Sequence, residues 1–539
     1  MVKKLPILNN VKHNGITISE ASKKVGVSEA TVRNWIKTKY LVLLSDGLIC
    51  KDSFNYFMNN IVGTEKLNSR ANKSRKDGHN HSDLSDKFLE KLNDGNVNLE
   101  SLGKEYENLL SDSYKNKEGV YYTPQKIVKD LLKDFISIDK SNLTFCDPSC
   151  GSGNFIIEAL NIGFKPENVY GFDIDPIAVE IAKKRIEEKT GYKTENIINA
   201  DFLDYSSSLN SKKYDFIFTN PPWGKKIDKD KKDFYGRIFK AEKCLDTSSL
   251  FFFASIKNLN PYGIIGFLLP EAFFNISIFE NARKKSLSMQ ILRLVDYGRV
   301  FKKLVTKAQA IVLKNDKSNE YFISCDYDNN KYLRTDVSFL KMPKSIFNFY
   351  CSDRESKLID KIFSFPFITL KNNAKWGMGI VTGNNSKYFV NSISKDYTAV
   401  YRGSDITKNG LKETSLFIPK DLSLYQQASP KELYEAKEKI IYKFISSGLC
   451  FYNDAKQSYV LNSANMIILN DDFPITPEQL TSLLNSDIMN WIFKKIFNTH
   501  KILRSDLETL PIFYEYFKNN SRFDEETYLE YLEIKKNQN

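Results

Sequence analysis

Tyr214-Asp215-Phe216-Ile217-Phe218-Thr219-Asn220-Pro221-Pro222-Trp223 is a strand-like run of apolar and aromatic residues that ends in a polar, rigid corner. Asn-Pro-Pro at the end of a strand places a side-chain amide and two stiff residues at the carboxyl edge of a sheet. Neither proline has an N–H, so their carbonyls accept hydrogen bonds without joining a strand ladder. Trp223 follows at once with a flat ring. Acceptors beside a stacking surface suit a planar amino group, such as the exocyclic amine of a base. A proline-terminated strand and loop is the plain alternative, and the residues upstream decide between the two.

Upstream, Leu143–Cys146 reads as a short strand, followed by Asp147-Pro148-Ser149-Cys150-Gly151-Ser152-Gly153-Asn154-Phe155 and a helix from Ile156 onward. A Gly-x-Gly turn between strand and helix lets backbone approach a ligand closely. A dinucleotide fingerprint needs a third glycine three residues on, and position 156 is Ile. Asp147 at the strand end also points away from phosphate and towards a cationic or amino-bearing cofactor. S-adenosylmethionine, with its ammonium and sulfonium, fits that chemistry. A second strand, Val169–Asp173, ends in an acid suited to ribose hydroxyls. Asp173 and Asp175 both precede the helix beginning near Ile177, and Asp175 is the better candidate for its cap. A third strand over Ile197–Phe202 carries Asp201 and Phe202 at its tip, suited to an adenine amino group and ring face. Strands alternating with helices predict an α/β, doubly wound parallel sheet with ligands at the strand carboxyl ends. Further strands are expected at 264–270, 291–297 and 308–314, and the pattern lapses at Asp316–Asn319.

The remainder divides around this core. Residues 16–41 read as two short helices, Ser19 capping the first and Ser28 the second. Ala21, Val25, Val32, Trp35 and Ile36 face inward, with Arg33, Lys37 and Lys39 outward. This pattern resembles the DNA-binding helix-turn-helix of small bacterial regulators. Residues 42–62 add a strand-like turn and an aromatic helix. The stretch 63–83 is Ser-, Asn- and Lys-rich with almost nothing apolar, a flexible linker. The expected domains are 1–62 (small all-α), 63–83 (linker), 84–318 (α/β) and 319–539 (a mixed α/β binding module with basic and aromatic loops). A net charge of +12 favours a polyanionic partner. Seven scattered cysteines without a CxxC pair, and four histidines, argue for reduced thiols and no metal site. No apolar run is long enough for a membrane span, so a cytoplasmic protein is expected.

With Asp147–Phe155 and Asn220–Trp223 in this order, the chain resembles the gamma class of N6-adenine DNA methyltransferases of restriction–modification systems, the Taq-type and Eco57I-type enzymes. Gly119–Val128 is similar to the segment that precedes the cofactor loop in that class, and Trp376–Pro511 to its target-recognition domain. The resemblance implies a Rossmann-like, S-adenosylmethionine-dependent methyltransferase domain and a fused recognition domain acting on double-stranded DNA. It implies cofactor contacts from Tyr122 and Thr123, from Asp147, Pro148, Gly151, Gly153, Asn154 and Phe155, from Asp173 and Ile174, and from Asp201, Phe202 and Phe251. It implies catalysis by Asn220, Pro221, Pro222 and Trp223, with Trp223 and Phe301 against a flipped base. Trp223 departs from the commoner Tyr or Phe; a stacking role survives the change. Arg402 joins Arg33, Lys37 and Lys39 as a candidate DNA contact. The same motifs serve cytosine-N4, RNA and protein amino-group methyltransferases, which stand as alternatives. The first 118 residues show no strand-borne nuclease cluster, so a methyltransferase without a nuclease domain is expected; whether a separate endonuclease partners it, and whether it is monomer or dimer, are left open.

Overall fold

The computed structural model describes residues 15–534 except 26–28, 38–39, 45, 61–97, 110–120, 302–305, 317–320, 328–329, 337–338, 340–341 and 393. The expected linker at 63–83 and Lys39 lie outside the described residues. Two compact units divide the chain, residues 1–120 and 121–539.

In the first unit, helices Ile18–Val25 and Glu29–Lys37 precede a third, Lys51–Asn60, and β1 (Gly15–Ile16) pairs antiparallel with β2 (Ile49–Cys50). Ala21, Val32, Trp35, Phe54 and Phe57 form the core, with Trp35 and Phe57 ring centroids 4.7 Å apart. The first helix is capped two residues earlier than Ser19, at Thr17. Thr17 Oγ1 accepts from the Glu20 amide and Glu20 carboxylate accepts from the Thr17 amide, a reciprocal box that leaves Ser19 inside the helix. Arg33 is exposed and ion-paired with Glu29 at 3.1 Å.

The second unit is built on a nine-stranded sheet: β3 (Phe145–Asp147), β4 (Val169–Asp173), β5 (Ile197–Asn199), β6 (Tyr214–Thr219), β7 (Leu259–Pro270), β8 (Gln290–Gly298), β9 (Ala308–Lys314), β10 (Phe322–Tyr327) and β11 (Asn330–Thr335). Their spatial order is β11-β10-β8-β9-β7-β6-β3-β4-β5. Strands β5, β4, β3, β6 and β7 run parallel. The sheet is not parallel throughout, as expected from the strand–helix alternation: β9 inserts antiparallel between β7 and β8, and β11 is antiparallel to β10. Nor does it stop at residue 318. The hairpin β10–β11 extends it, because β10 alternates buried Ile323 and Cys325 with an exposed Phe322 and so finds a half-covered place beside β8. Helices cover both faces, with separate apolar clusters on either side. The third strand is shorter than expected; it ends at Asn199 and Asp201 caps a helix, Phe202–Ser207. The helix expected from Ile156 starts two residues earlier at Asn154.

Beyond residue 350, a four-stranded sheet orders β12 (Ala374–Met378), β20 (Ala464–Leu469), β17 (Lys439–Lys443) and β18 (Phe451–Asp454). A three-stranded sheet of β16 (Phe417–Pro419), β13 (Tyr397–Tyr401) and β19 (Tyr459–Val460) lies with it, and a helical cluster closes the chain through Tyr531. Gly379 is required here, since a Cβ would stand 2.1 Å from the Leu461 carbonyl oxygen. No helix of the described residues is long and apolar enough to cross a membrane.

Candidate active site

The chain runs outward from β3 to β5, then returns to place β6 on the other side of β3. That reversal opens a crevice outside the carboxyl ends of β3 and β6, where doubly wound sheets take ligands. Asp147 and Asn220 sit at those two ends. The loop after β3 and the corner after β6 are stitched together. Ser149 Oγ lies 2.7 Å from Thr219 Oγ1 and donates to the Asn220 carbonyl at 3.0 Å.

Asp147 is buried and accepts from the Ser149 amide at 3.1 Å. Burial, with the Asp173 charge adding to it, pushes its carboxyl up to about 7 against the pull of Thr219 and Ser149. Asp173, raised to about 6 by burial, accepts from the Gly151 amide at 2.8 Å and from the Asp175 amide at 2.9 Å. Asp175 caps the next helix, accepting from the Ile177 and Ala178 amides. Gly151 adopts φ +50° and a Cβ there would meet the Tyr122 ring at 2.7 Å; Gly153 adopts φ +91°. Both turns need glycine. Asn154 Nδ2 donates to the Thr123 carbonyl, and Arg185 braces the loop by donating to Ser152 O and Asn154 Oδ1. Ile174 is 44% exposed just past Asp173, an apolar platform at the cleft. Burial raises the Asp201 carboxyl, and the Lys225 charge lowers both Asp201 and Asp173.

Asn220 Nδ2 donates to the Tyr121 carbonyl at 2.5 Å, which fixes the amide orientation. Its Oδ1 is buried and has no hydrogen-bond partner among the described residues. Trp223, Tyr121 and Phe301 form an aromatic wall: centroids are 5.3 Å for Trp223–Phe301, 6.2 Å for Tyr121–Trp223 and 5.6 Å for Tyr121–Phe301.

Two expected cofactor residues, Phe202 and Phe251, are placed differently. Phe202 is 1% exposed and stacks on Phe251 at 6.1 Å within the core, so both line the floor of the sheet rather than a free wall. Arg402, expected as a DNA contact, is exposed in the C-terminal part and lies over the Phe389 ring at 5.8 Å. Sequence reasoning missed Tyr121, Ser149, Thr219 and Arg185. The doubled Tyr before Thr123-Pro124 was a signal for the first; Arg185 reads as an ordinary helical cation and gave none.

Acids at successive strand ends, a left-handed glycine turn and an apolar platform fit S-adenosylmethionine, whose ammonium, ribose hydroxyls and adenine match those acceptors and faces. The fold and cleft thus define an S-adenosylmethionine-dependent methyltransferase. Residues 98–349 match the N-6 DNA Methylase family and residues 398–512 the TaqI-like C-terminal specificity domain. The chain is 47% identical over 396 residues to the type II methyltransferase M.VspI of Vibrio sp. (strain 343), covering 73% of this chain and 97% of that protein. It is 29% identical over 226 residues to modification methylase CviBIII of Paramecium bursaria Chlorella virus NC1A, covering 41% of this chain and 56% of that one. The type IIL restriction–modification enzyme MmeI, solved in complex with DNA, shares the fold with a TM-score of 0.52 at 14% identity, over 76% of this chain and 70% of its own. The chain belongs to the N6-adenine DNA methyltransferases of restriction–modification systems, the gamma class with a C-terminal specificity domain.

Proposed function

We propose that Asn220, Pro221 and Trp223 receive an adenine rotated out of duplex DNA and hold its amino group for methylation. The observation that carries this is the buried, unpartnered Asn220 Oδ1 beside the aromatic wall. A buried acceptor without a donor costs roughly 1–3 kcal/mol, and a site built for an incoming N–H recovers it. Asn220 Oδ1 accepts one amino hydrogen and the Pro221 carbonyl the other, which draws the nitrogen lone pair out of ring conjugation. Trp223 stacks on the base, with Phe301 and Tyr121 closing the wall behind it. When bound, S-adenosylmethionine supplies an electrophilic methyl on a sulfonium. Asp147 holds its ammonium, Asp173 the ribose hydroxyls, Asp201 the adenine amine and Ile174 the adenine face. Catalysis by these residues is positioning and preorganised hydrogen bonding.

Arg402 in the specificity domain, and Arg33, Lys37 and Lys39 in the first unit, contact phosphates. The enzyme works in the cytoplasm as the modification partner of a separate endonuclease. The test is single-molecule sequencing of genomic DNA from a methylation-free host expressing the protein or its Asn220→Ala variant. N6-methyladenine at one defined motif, absent in the variant, is the expected result. Unmodified DNA from the wild type, or full methylation by the variant, overturns the assignment.

A further inference from the structure

Phe339 and residues 342–351 lie between the methyltransferase sheet and the C-terminal domain, and their side chains belong to both cores at once. Phe339, Phe347 and Phe349 are buried in the apolar cluster of the sheet, whereas Met342, Ile346 and Cys351 are buried in the cluster of the C-terminal helices. Between them the chain makes a sharp corner at which Lys344 and Ser345 both take left-handed backbone, φ +55° and +52°. Two adjacent non-glycine residues in that region are strained and persist only when their surroundings hold them.

Two groups hold this corner. Arg283, fully buried on the helix Glu280–Leu287, donates to the carbonyls of Lys344 (2.9 Å) and Ser345 (3.1 Å). The same guanidinium donates to Phe273 O at 2.7 Å and Ile276 O at 2.8 Å. These two belong to the segment that leaves β7, the strand beside the catalytic one, and Leu268 on β7 accepts the Trp223 indole N–H at 3.4 Å. On the other side, Lys344 Nζ reaches Asp506 at 2.5 Å, both side chains less than a tenth exposed. Lys344 lies within the methylase match and Asp506 within the specificity-domain match. The connection is continuous: catalytic-edge segment, Arg283, strained corner, Lys344, Asp506, specificity domain. Burial depresses Arg283 to about 10 and raises Asp506, and the Lys344 charge pulls Asp506 back down.

We propose that Arg283, Lys344 and Asp506 are positioning residues that fix the register of the specificity domain against the catalytic edge, so that recognition of the correct sequence is delivered as correct placement of the adenine. None of the three touches the reacting atoms. The proposal rests on the sequence-specific methylation described above.

The test uses the full-length protein, the wild type beside Lys344→Met, Asp506→Asn and the double variant. Each is assayed for cofactor affinity and for kcat and KM on the mapped duplex and on one with a single base pair changed. Expected are unchanged cofactor affinity, a fall of about a hundredfold in kcat/KM on the mapped duplex, and a smaller ratio between the two duplexes. The double variant should be no worse than the more damaged single variant, since both break one link. Folded variants that keep the wild-type ratio overturn the proposal. If Lys344→Met loses cofactor binding, Asp506→Asn decides, because it keeps shape and removes only charge. A wild type that methylates no duplex instead refutes the proposed function, a separate result.

Discussion

On the proposed reading, Asp147 and Asn220, single residues at strand ends, set the chemistry. Asp147 is pushed up to about 7, mainly by burial. An ammonium pairs with the ionised carboxylate, so cofactor affinity should strengthen with proton release as pH rises through 7, and fall again once the ligand's own amino group, ordinarily at about 8, loses its proton; calorimetry in buffers of different ionisation heat reads both. A pH-independent affinity would remove Asp147 as the ammonium partner. The same shift has a stability consequence of opposite sense. A carboxyl raised above its unfolded value of about 3.9 stabilises the ligand-free fold at acidic pH, and that contribution is lost as pH climbs through 7. Asp147→Asn should therefore raise Tm at pH 8 while abolishing cofactor binding. At Asn220, replacement by Ala should lower kcat about 10²–10³-fold, the usual cost of one preorganised hydrogen bond in a transition state, with cofactor affinity intact. These residues were legible in the sequence because each stands at a strand-to-turn junction with a distinctive neighbour: Pro after Asp147, Pro-Pro after Asn220. Arg185 was not, because what assigns it is its hydrogen bonds to Ser152 and Asn154 across the fold, and the doubled Tyr that marks Tyr121 does not by itself reveal the bond its carbonyl makes with Asn220.

At the scale of elements, β7 is held so tightly to β6 that Gly266 has no room for a side chain: a Cβ would stand 2.2 Å from the Phe218 ring. Gly266→Ala should destabilise the domain by about 1–3 kcal/mol, the range for overpacking a core. An unchanged midpoint in urea denaturation would show that Phe218 can yield. The parallel half of the sheet was readable because its strands are apolar runs bounded by turns and helices. Its far edge was not. In β10, Phe322 is exposed while Ile323 and Cys325 are buried, and the polar break at 316–319 suggested a domain boundary, yet the strand beyond it pairs with β8 in the same sheet. The antiparallel setting of β9 was also invisible, since direction is fixed by which neighbours a strand finds and its own composition does not reveal it.

For the whole molecule, the matched relative aligns with 396 of 539 residues and the methylase match begins at residue 98. A chain lacking residues 1–97 should keep its methylation motif. It should bind DNA more weakly, with a shallower dependence on salt, if Arg33, Lys37 and Lys39 meet phosphates. Identical affinity and salt slope in filter-binding assays would discard that role for the first unit. One architectural detail bears on how the protein is made. Strand β9 is translated after β7 and β8 yet lies between them, paired to both. Until the ribosome has passed Lys314, the run Ile264–Leu269 waits with one flank of backbone donors and acceptors unpaired, and a chain terminated early would expose it permanently. Such an open, apolar flank is a template for other nascent chains. Premature stop codons between β8 and β9 are therefore expected to yield aggregates.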